Sequence, residues 1–407
     1  MAPATSKPAD RRLWEIDALR GLMLVLMTLT HIPTRLSDPL GQPFGFVSAA
    51  EGFVLLSGFM AGMVYAQKQQ RAGDEAMRDA FWKRALKIYL LQAALLLFVL
   101  TVVALIGVAS RQPAITDLIS YFLERPFTAL VGGLALLYNP PLLDILPMYV
   151  LFMLVSPVLL LHGSHHGWRG ILVLSAGVWL AAQFGLGQAA YEAVVALTKL
   201  PVPLQQTGAF EILAWQFLWV IGLWIGAEQA AGRPVQAAPY PRWIVAAALT
   251  IVLLHLVWRH VGGQAPFGAN EGLNLLYDKW RLAPLRLIDL FALMVVTLHF
   301  GPRWAARLPR ARAVELLGRQ SLPVFCAHVV LAMLVLAFLG GIDPERPLIL
   351  EVVLLTACFA VLYAVALASE RVDREAERAK ERLRTRRAQR RAGGARSRAA
   401  TARSHPD

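Results

Sequence analysis

An arginine and a histidine lie eleven residues apart in the apolar stretch DALRGLMLVLMTLTHIP, residues 17–33. In an α-helix eleven residues come to about 20° more than three full turns, so Arg20 and His31 share one face, about 16 Å apart. Charged side chains at membrane depth usually face a protein interior or a wet cavity and often mark a functional site. Two plainer interpretations stay open: Arg20 snorkels while paired with Asp17, and His31 lies at the membrane interface.

A carboxylate in the next apolar stretch is placed to meet that histidine. Glu51 lies about one turn inside the second stretch, as His31 does in the first, and a short loop joins the two. Gly52, Gly58 and Gly62 predict close packing of the second helix. A carboxylate beside an imidazole fixes its tautomer and stabilises the imidazolium, so we predict a general-base pair of His31 and Glu51. A buried ion pair without chemistry is the alternative for Glu51.

Basic residues cluster at the start of the third apolar stretch, in FWKRALKIY (81–89). Lys83, Arg84 and Lys87 lie at one mouth of the predicted helix and have the chemistry to hold phosphates or a nucleotide. The general excess of Lys and Arg at cytoplasmic helix ends predicts the same residues without any ligand. The cluster is therefore either a binding site for phosphates or a nucleotide, or only part of the general basic excess at cytoplasmic helix ends.

Four more polar residues inside apolar stretches are candidate site residues. His328 lies near the middle of a predicted span, whereas Arg286 and Asp289 form an i,i+3 pair near the end of another. Ser57 follows Glu51 on the same helix and is a candidate nucleophile, although no base lies within evident reach of it.

The cysteines indicate neither a disulfide nor a metal site. Cys326 and Cys358 lie in apolar stretches and have no Cys or His neighbour at metal-ligand spacing. Packing is their expected role. We predict no metal and no permanently bound cofactor.

These residues belong to a chain that is too apolar for a soluble protein. Of 407 residues, 57% are hydrophobic and 16% are charged, whereas about a quarter of the residues in soluble domains are charged. The apolar blocks are long enough to cross a bilayer. The predicted fold is all-α, a polytopic bundle of about ten transmembrane helices. The helices are placed at 14–32, 46–67, 82–108, 142–162, 168–185, 210–228, 243–261, 284–300, 321–339 and 347–369, with a half-helix within 127–141.

The distribution of basic residues predicts the orientation. If the N-terminus is cytoplasmic, three quarters of the 40 Lys and Arg lie in inner segments or in the C-terminal tail. We therefore predict a cytoplasmic segment at 1–12, a transmembrane domain at 13–370 and a basic, partly disordered cytoplasmic tail at 371–407. The tail lacks aromatic residues between its charges, so we expect contact with anionic lipids and no binding to nucleic acid.

Four motifs in order resemble the membrane acyltransferase-3 superfamily. They are DALRGLMLVLMTLTH, GFVLLSGFMAG, FWKRALKIY and LGRQSLPVFCAH. The first two together look most like the OpgC branch of that superfamily. The third motif departs from the superfamily pattern, because Lys87 stands where a second arginine is usual and the proline that normally follows is missing.

The resemblance implies an acyltransferase-3-like fold and an enzyme of the bacterial inner membrane. Members of the OpgC branch attach succinyl groups to osmoregulated periplasmic glucans, with acyl-CoA, here succinyl-CoA, as co-substrate. By this resemblance Arg84 and Lys87, with Lys83 nearby, hold the nucleotide, and Arg20 lines the path of the pantetheine arm. His31 is then the general base that deprotonates a sugar hydroxyl, and Glu51 holds its ring.

Other functions and substrates stay open at this point. A transporter or flippase of an anionic or lipid-linked carbohydrate would use the same buried charges as a relay. A same-fold enzyme would transfer acetyl to another glycan. A succinyl carboxylate needs a cation, for which Arg286 and Arg259 are candidates. The residues that are candidates to stack on sugars are Trp280, Tyr277 and Tyr149. The sequence does not indicate the oligomeric state.

Overall fold

The computed structural model describes residues 14–235 and 239–403, and within these residues the chain is helical with no β-strand. The predicted N-terminal cytoplasmic segment at 1–12 lies outside the described residues. The α-helices are α1 (Trp14–His31), α2 (Ser37–Gly41), α3 (Ala49–Phe98), α4 (Ala104–Ala109), α5 (Pro113–Thr116), α6 (Ser120–Glu124), α7 (Pro126–Leu134), α8 (Ile145–His166), α9 (Arg169–Gln183), α10 (Leu186–Thr198), α11 (Ile212–Ala230), α12 (Arg242–Gly262), α13 (Glu271–Asn274), α14 (Pro284–Arg307), α15 (Arg312–Arg319), α16 (Ser321–Leu339) and α17 (Leu348–Arg403).

Every predicted span overlaps these helices; the third runs from α3 into α4, and the second lies on α3. This helix is interrupted at Gly73, whose φ of 84° is a left-handed value that glycine adopts without a steric penalty. A π-helical segment, Val99–Val103, joins α3 to α4. Among the described residues six helical runs are long and apolar enough to cross a membrane, or seven if α9 and α10 form one bent span. The number of ten spans stays a prediction.

Two segments differ from the sequence-based expectations. The predicted span at 168–185 is followed by α10, which the sequence analysis left unassigned, and the two helices meet at 86°. Gly185 makes this bend, because its φ of 93° ends the right-handed helix. In addition, α17 continues beyond the predicted span into the basic tail as far as Arg403. The predicted partial disorder of the tail stays a prediction.

Glycines bring α3 and α11 into backbone contact. A Cβ atom added at Gly62 would lie 2.1 Å from the carbonyl oxygen of Leu223, and one at Gly226 would lie 2.0 Å from that of Phe59. A Cβ atom at Gly58 would lie 2.6 Å from the carbonyl oxygen of Trp219, also on α11. The close packing predicted for Gly58 and Gly62 is therefore confirmed, and it fixes the position of α3, whose other residues line a cavity.

A second glycine contact sets the position of α1. A Cβ atom at Gly21 would lie 1.9 Å from the carbonyl oxygen of Val314, and one at Gly318 would lie 1.7 Å from that of Asp17. The backbones of α1 and α15 therefore touch. This contact places the face of α1 that carries Arg20 next to the start of α16.

Large apolar side chains cover much of the outer surface of the helices. Exposed fractions reach 72% for Leu105, 73% for Val173 and 84% for Phe184 and Val261. An apolar exterior of this kind is unfavourable in water and is suited to lipid. Together with the long apolar helices, it indicates a membrane protein.

Candidate functional site

A cavity of about 460 Å³ lies beside the end of α1, and we call it the His31 cavity. Its polar lining includes His31, Asn139, Asp144 and Lys279, and Trp280 contributes an aromatic wall. These residues come from α1 and from the loops that precede α8 and α14, and the loop before α11 lines the cavity as well. The cavity therefore forms where loops, rather than regular helix packing, surround the end of α1.

The imidazole of His31 faces a second histidine. Nδ1 of His31 lies 2.9 Å from Nε2 of His328 on α16, and the two rings are stacked with centroids 5.0 Å apart. His328 is 1% exposed and does not line the cavity, whereas His31 does. One of the two nitrogens donates and the other accepts. When Nδ1 of His31 carries the proton, its Nε2 has a free lone pair and can act as a base.

The predicted pair of His31 and Glu51 does not form. Glu51 is fully buried, and its carboxylate accepts hydrogen bonds from the backbone N–H and the hydroxyl of Ser48 as an N-terminal capping box of α3. The other oxygen accepts a charge-assisted hydrogen bond from Nε of Arg286, so the two side chains form an ion pair. The partners of Glu51 lie instead on α14 and at the N-cap of its own helix. His328 occupies the position beside His31 that was assigned to Glu51.

Arg286 and Asp289, the predicted i,i+3 pair on α14, do not bind each other but bind other groups. Arg286 donates to Glu51 and, at 3.1 Å, to the carbonyl oxygen of Tyr277. Asp289 lies 3.3 Å from Nδ1 of His255 and accepts from the backbone N–H of Phe46 at 3.1 Å. Both side chains are at most 2% exposed. They join α14 to α12 and to the loops around it, which is a structural role.

A second cavity, of about 270 Å³, surrounds Arg20, and we call it the Arg20 cavity. Arg84, Ser57 and Tyr149 also line it. Nη2 of Arg20 donates to the hydroxyl of Ser321 at 2.5 Å, and its guanidinium lies 6.0 Å from the centroid of the Phe53 ring. Arg20 and Arg84 thus bring positive charge to a cavity with otherwise largely apolar walls.

The two cavities share walls. Phe325 and Ile145 line both of them, so one layer of side chains separates the space around Arg20 from the space around His31. Phe325 lies one turn before His328 on α16, and its ring centroid is 5.6 Å from that of His328. Arg20 and His31 therefore line different cavities on either side of this shared wall.

The structure separates the members of the predicted basic cluster. Arg84 lines the Arg20 cavity, whereas Lys83 and Lys87 are exposed. The amino group of Lys83 lies 3.3 Å from a carboxylate oxygen of Asp79, which is also exposed. Only Arg84 is therefore in a position to reach a ligand within the cavity. Asp17 is buried at the contact of α1 with α15 and lines neither cavity.

Several residues of the cavities were not found by sequence analysis, and two of them bear directly on the chemistry. Ser321 is the partner of Arg20, and Lys279 brings a cation to the wall of the His31 cavity. Burial lowers the pKa of Lys279, although the charge of Glu51 opposes this shift. A lysine in a polar loop carries no signal in the sequence, because most such residues are simply solvated.

Of the three aromatic residues expected to stack on sugars, only Trp280 is available to do so. Trp280 is 43% exposed and lines the His31 cavity, whereas Tyr149 and Tyr277 are 7% and 3% exposed. The Tyr277 ring is packed 4.2 Å from that of Phe46, and burial raises the pKa of Tyr277 to about 12. Tyr277 and Tyr149 are core residues.

The described residues contain no group of three or more His, Cys, Asp or Glu side chains that could hold a metal ion. Cys326 and Cys358 are free thiols there, and Cys358 is 4% exposed. Long apolar helices around two adjoining cavities, with a histidine pair beside one of them, define the class as a helical membrane protein with polar residues in its cavities.

The family follows from comparison with known proteins. The model of the OpgC protein family matches residues 12–374, which is most of the chain. The chain therefore belongs to the OpgC protein family, and the resemblance to the OpgC branch is confirmed. Neither the curated proteins nor the solved structures contain a match to this chain.

Proposed function

We propose that this protein is an integral membrane O-acyltransferase that moves an acyl group from acyl-CoA to a hydroxyl of a periplasmic glucan. The observation that carries the proposal is the pair of His31 and His328 at the wall of a cavity that adjoins a second, cationic cavity. Membership of the OpgC family supports the same class of reaction. The acyltransferase-3-like fold with ten spans is part of this proposal.

The donor enters from the side of Arg84 in this proposal. The guanidinium of Arg84 binds a phosphate oxygen of the nucleotide, for which its planar fork is well suited. The pantetheine arm then passes Arg20, and the thioester reaches His31 after Phe325 moves aside. Both termini are cytoplasmic, the enzyme lies in the bacterial inner membrane, and the basic tail contacts anionic lipids.

The transfer needs one base and no covalent intermediate. Nδ1–H of His31 donates to Nε2 of His328, so Nε2 of His31 is free to take the proton of the glucan hydroxyl. The sugar oxygen attacks the thioester carbonyl, the carbon–sulfur bond breaks, and the imidazolium returns the proton to the CoA thiolate. The products are the glucan ester and free CoA. Because His328 touches His31 and not the reactants, it is a positioning residue.

The acceptor binds on the open side of the His31 cavity in this proposal. The exposed face of Trp280 offers a surface on which a pyranose ring stacks. This residue lies in a loop rather than in the bundle. Such a site suits a soluble, polar acceptor better than a lipid.

Release of CoA by the purified protein tests the proposal. Detergent-solubilised protein is mixed with succinyl-CoA, acetyl-CoA or no donor, with and without unsubstituted glucan, and free thiol and glucan mass are followed. We expect thiol release that depends on glucan, together with ester formation. A transporter or flippase releases no thiol from any donor, and a same-fold acetyltransferase uses acetyl-CoA in preference to succinyl-CoA.

A further inference from the structure

Lys279 is a cation in the His31 cavity that no carboxylate neutralises directly. Among the residues that the structure describes, it makes no hydrogen bond and no ion pair within 4.0 Å, and its one close partner is the Trp280 ring, 4.7 Å from Nζ. It is only partly exposed. A cation that is removed from bulk water without an anionic partner is unfavourable, so such a residue in a cavity indicates an anionic ligand group.

Two carboxylates near Lys279, those of Glu51 and Asp144, have hydrogen-bond partners of their own. The Glu51 carboxylate binds Arg286 and Ser48, and Asp144 accepts a hydrogen bond from the backbone N–H of Ala209 at 2.9 Å. Both carboxylates attract Lys279 only from a distance. They oppose the lowering of its pKa by burial without occupying its three N–H donors.

The two arginines that sequence analysis offered for an acyl carboxylate are not available. Arg286 is 2% exposed and bound to Glu51, and Arg259 is 6% exposed with Nη2 3.0 Å from the Asp38 carboxylate. Neither lines the His31 cavity. Of the basic side chains in the described residues, Lys279 is the one on the wall that His31 also lines.

We propose that Lys279 binds the free carboxylate of a dicarboxylic acyl group and so selects such a donor over an uncharged acyl group of the same length. The proposal rests on the function proposed above. The thioester end of the donor is held at His31, and the distal carboxylate lies against the amino group of Lys279. The Trp280 ring restrains the lysine by a cation–π contact and excludes water from one side of the pair.

A pair of donors that differ only at the distal group tests this proposal. Succinyl-CoA and butyryl-CoA have acyl chains of four carbons, one ending in a carboxylate and the other in a methyl group. For wild-type protein we expect kcat/KM to be about 10- to 100-fold higher with succinyl-CoA, the range for one hydrogen bond to a charged group. Lys279→Met should remove this preference while the rate with butyryl-CoA stays within about threefold, and Lys279→Arg should retain most of it. Lys199→Met, at an exposed lysine, is the matched control.

The remaining outcomes contradict the proposal. Equal losses with both donors in Lys279→Met would show that the lysine stabilises the oxyanion or the fold. An unchanged preference would show that the carboxylate binds elsewhere. If wild-type protein releases CoA from no donor, the proposed function fails, and the anion site is then judged by calorimetric binding of methyl succinate. Binding that is lost in Lys279→Met supports the site, and no binding to wild-type protein overturns it.

Discussion

His31 and His328 are joined nitrogen to nitrogen, at 2.9 Å, although 297 positions separate them in the chain. The first lies at the end of α1 on a cavity wall, and the second is buried inside α16. A buried imidazole that accepts a hydrogen bond from Nδ1–H of its neighbour holds that neighbour in the tautomer a base requires. In the proposed mechanism this relationship gives His328 the role that the sequence suggested for Glu51.

His328→Ala should therefore lower kcat with little change in KM for acyl-CoA. Loss of ring orientation is expected to reduce kcat by about 10- to 100-fold, since small misplacements of a reacting group have effects of this size. His328→Gln should recover part of the loss, because the glutamine amide oxygen can accept a hydrogen bond from Nδ1–H of His31. Steady-state kinetics of the two variants check this. Equal activity of both with wild type would remove His328 from the mechanism.

Glu51→Gln should act on stability before it acts on chemistry. The substitution leaves the buried Arg286 without its carboxylate, and breaking one partner of a buried ion pair costs about 3–5 kcal/mol. We expect a clearly lower unfolding temperature in detergent. The double variant Glu51→Gln, Arg286→Met should be more stable than the single one, because no uncompensated charge remains. A Glu51→Gln protein as stable as wild type but catalytically dead would instead support the role first predicted for Glu51, which is to hold the ring of the general base His31.

Arg84 and Lys83 are adjacent in the sequence and provide a matched comparison. Arg84→Ala should raise KM for acyl-CoA by about tenfold or more with kcat nearly unchanged, because phosphates bind alike in the ground and transition states. Lys83→Ala should leave both constants unchanged, since its side chain is 79% exposed and pairs with Asp79. Similar effects of the two substitutions would indicate that the cluster contributes only general positive charge.

The orientation predicts opposite labelling of two loops. In a Cys326→Ala, Cys358→Ala background, Glu271→Cys should react with a membrane-impermeant maleimide in cells whose outer membrane alone is permeabilised. Pro309→Cys should react only after the inner membrane is broken. Both positions are exposed, so access and not burial decides the result. The reverse pattern would invert the topology and the direction of acyl transfer.

The helices could be predicted because their signal is local. An apolar block of sufficient length becomes a helix in a membrane whatever surrounds it, and α1, α8, α12 and α16 begin or end within a few residues of the predicted positions. The bend at Gly185 could not be predicted, because α9 and α10 are each apolar and a glycine between them is compatible with a straight helix.

The sequence allowed single residues of the site to be predicted but not the contacts between them. Polar residues in apolar helices identified Arg20 and His31 as candidates, since such residues are costly without a role. Their partners depend on which helices become neighbours, and that is decided by long-range contacts such as the one between Gly318 and Asp17. Ser321 and Lys279 stand at a helix start and in a polar loop, where their residue types are common.

A single-turnover comparison of wild type and His31→Ala tests the central proposal most directly. Enzyme in excess over succinyl-CoA is mixed with glucan, and the ester is followed by mass spectrometry. His260→Ala, at an exposed histidine, serves as the control, and thermal unfolding verifies that each variant is folded. We expect His31→Ala to slow ester formation by about 10²- to 10⁴-fold with donor binding retained, whereas His260→Ala reacts like wild type. A folded His31→Ala protein that acylates glucan at the wild-type rate would contradict the proposal that His31 is the general base.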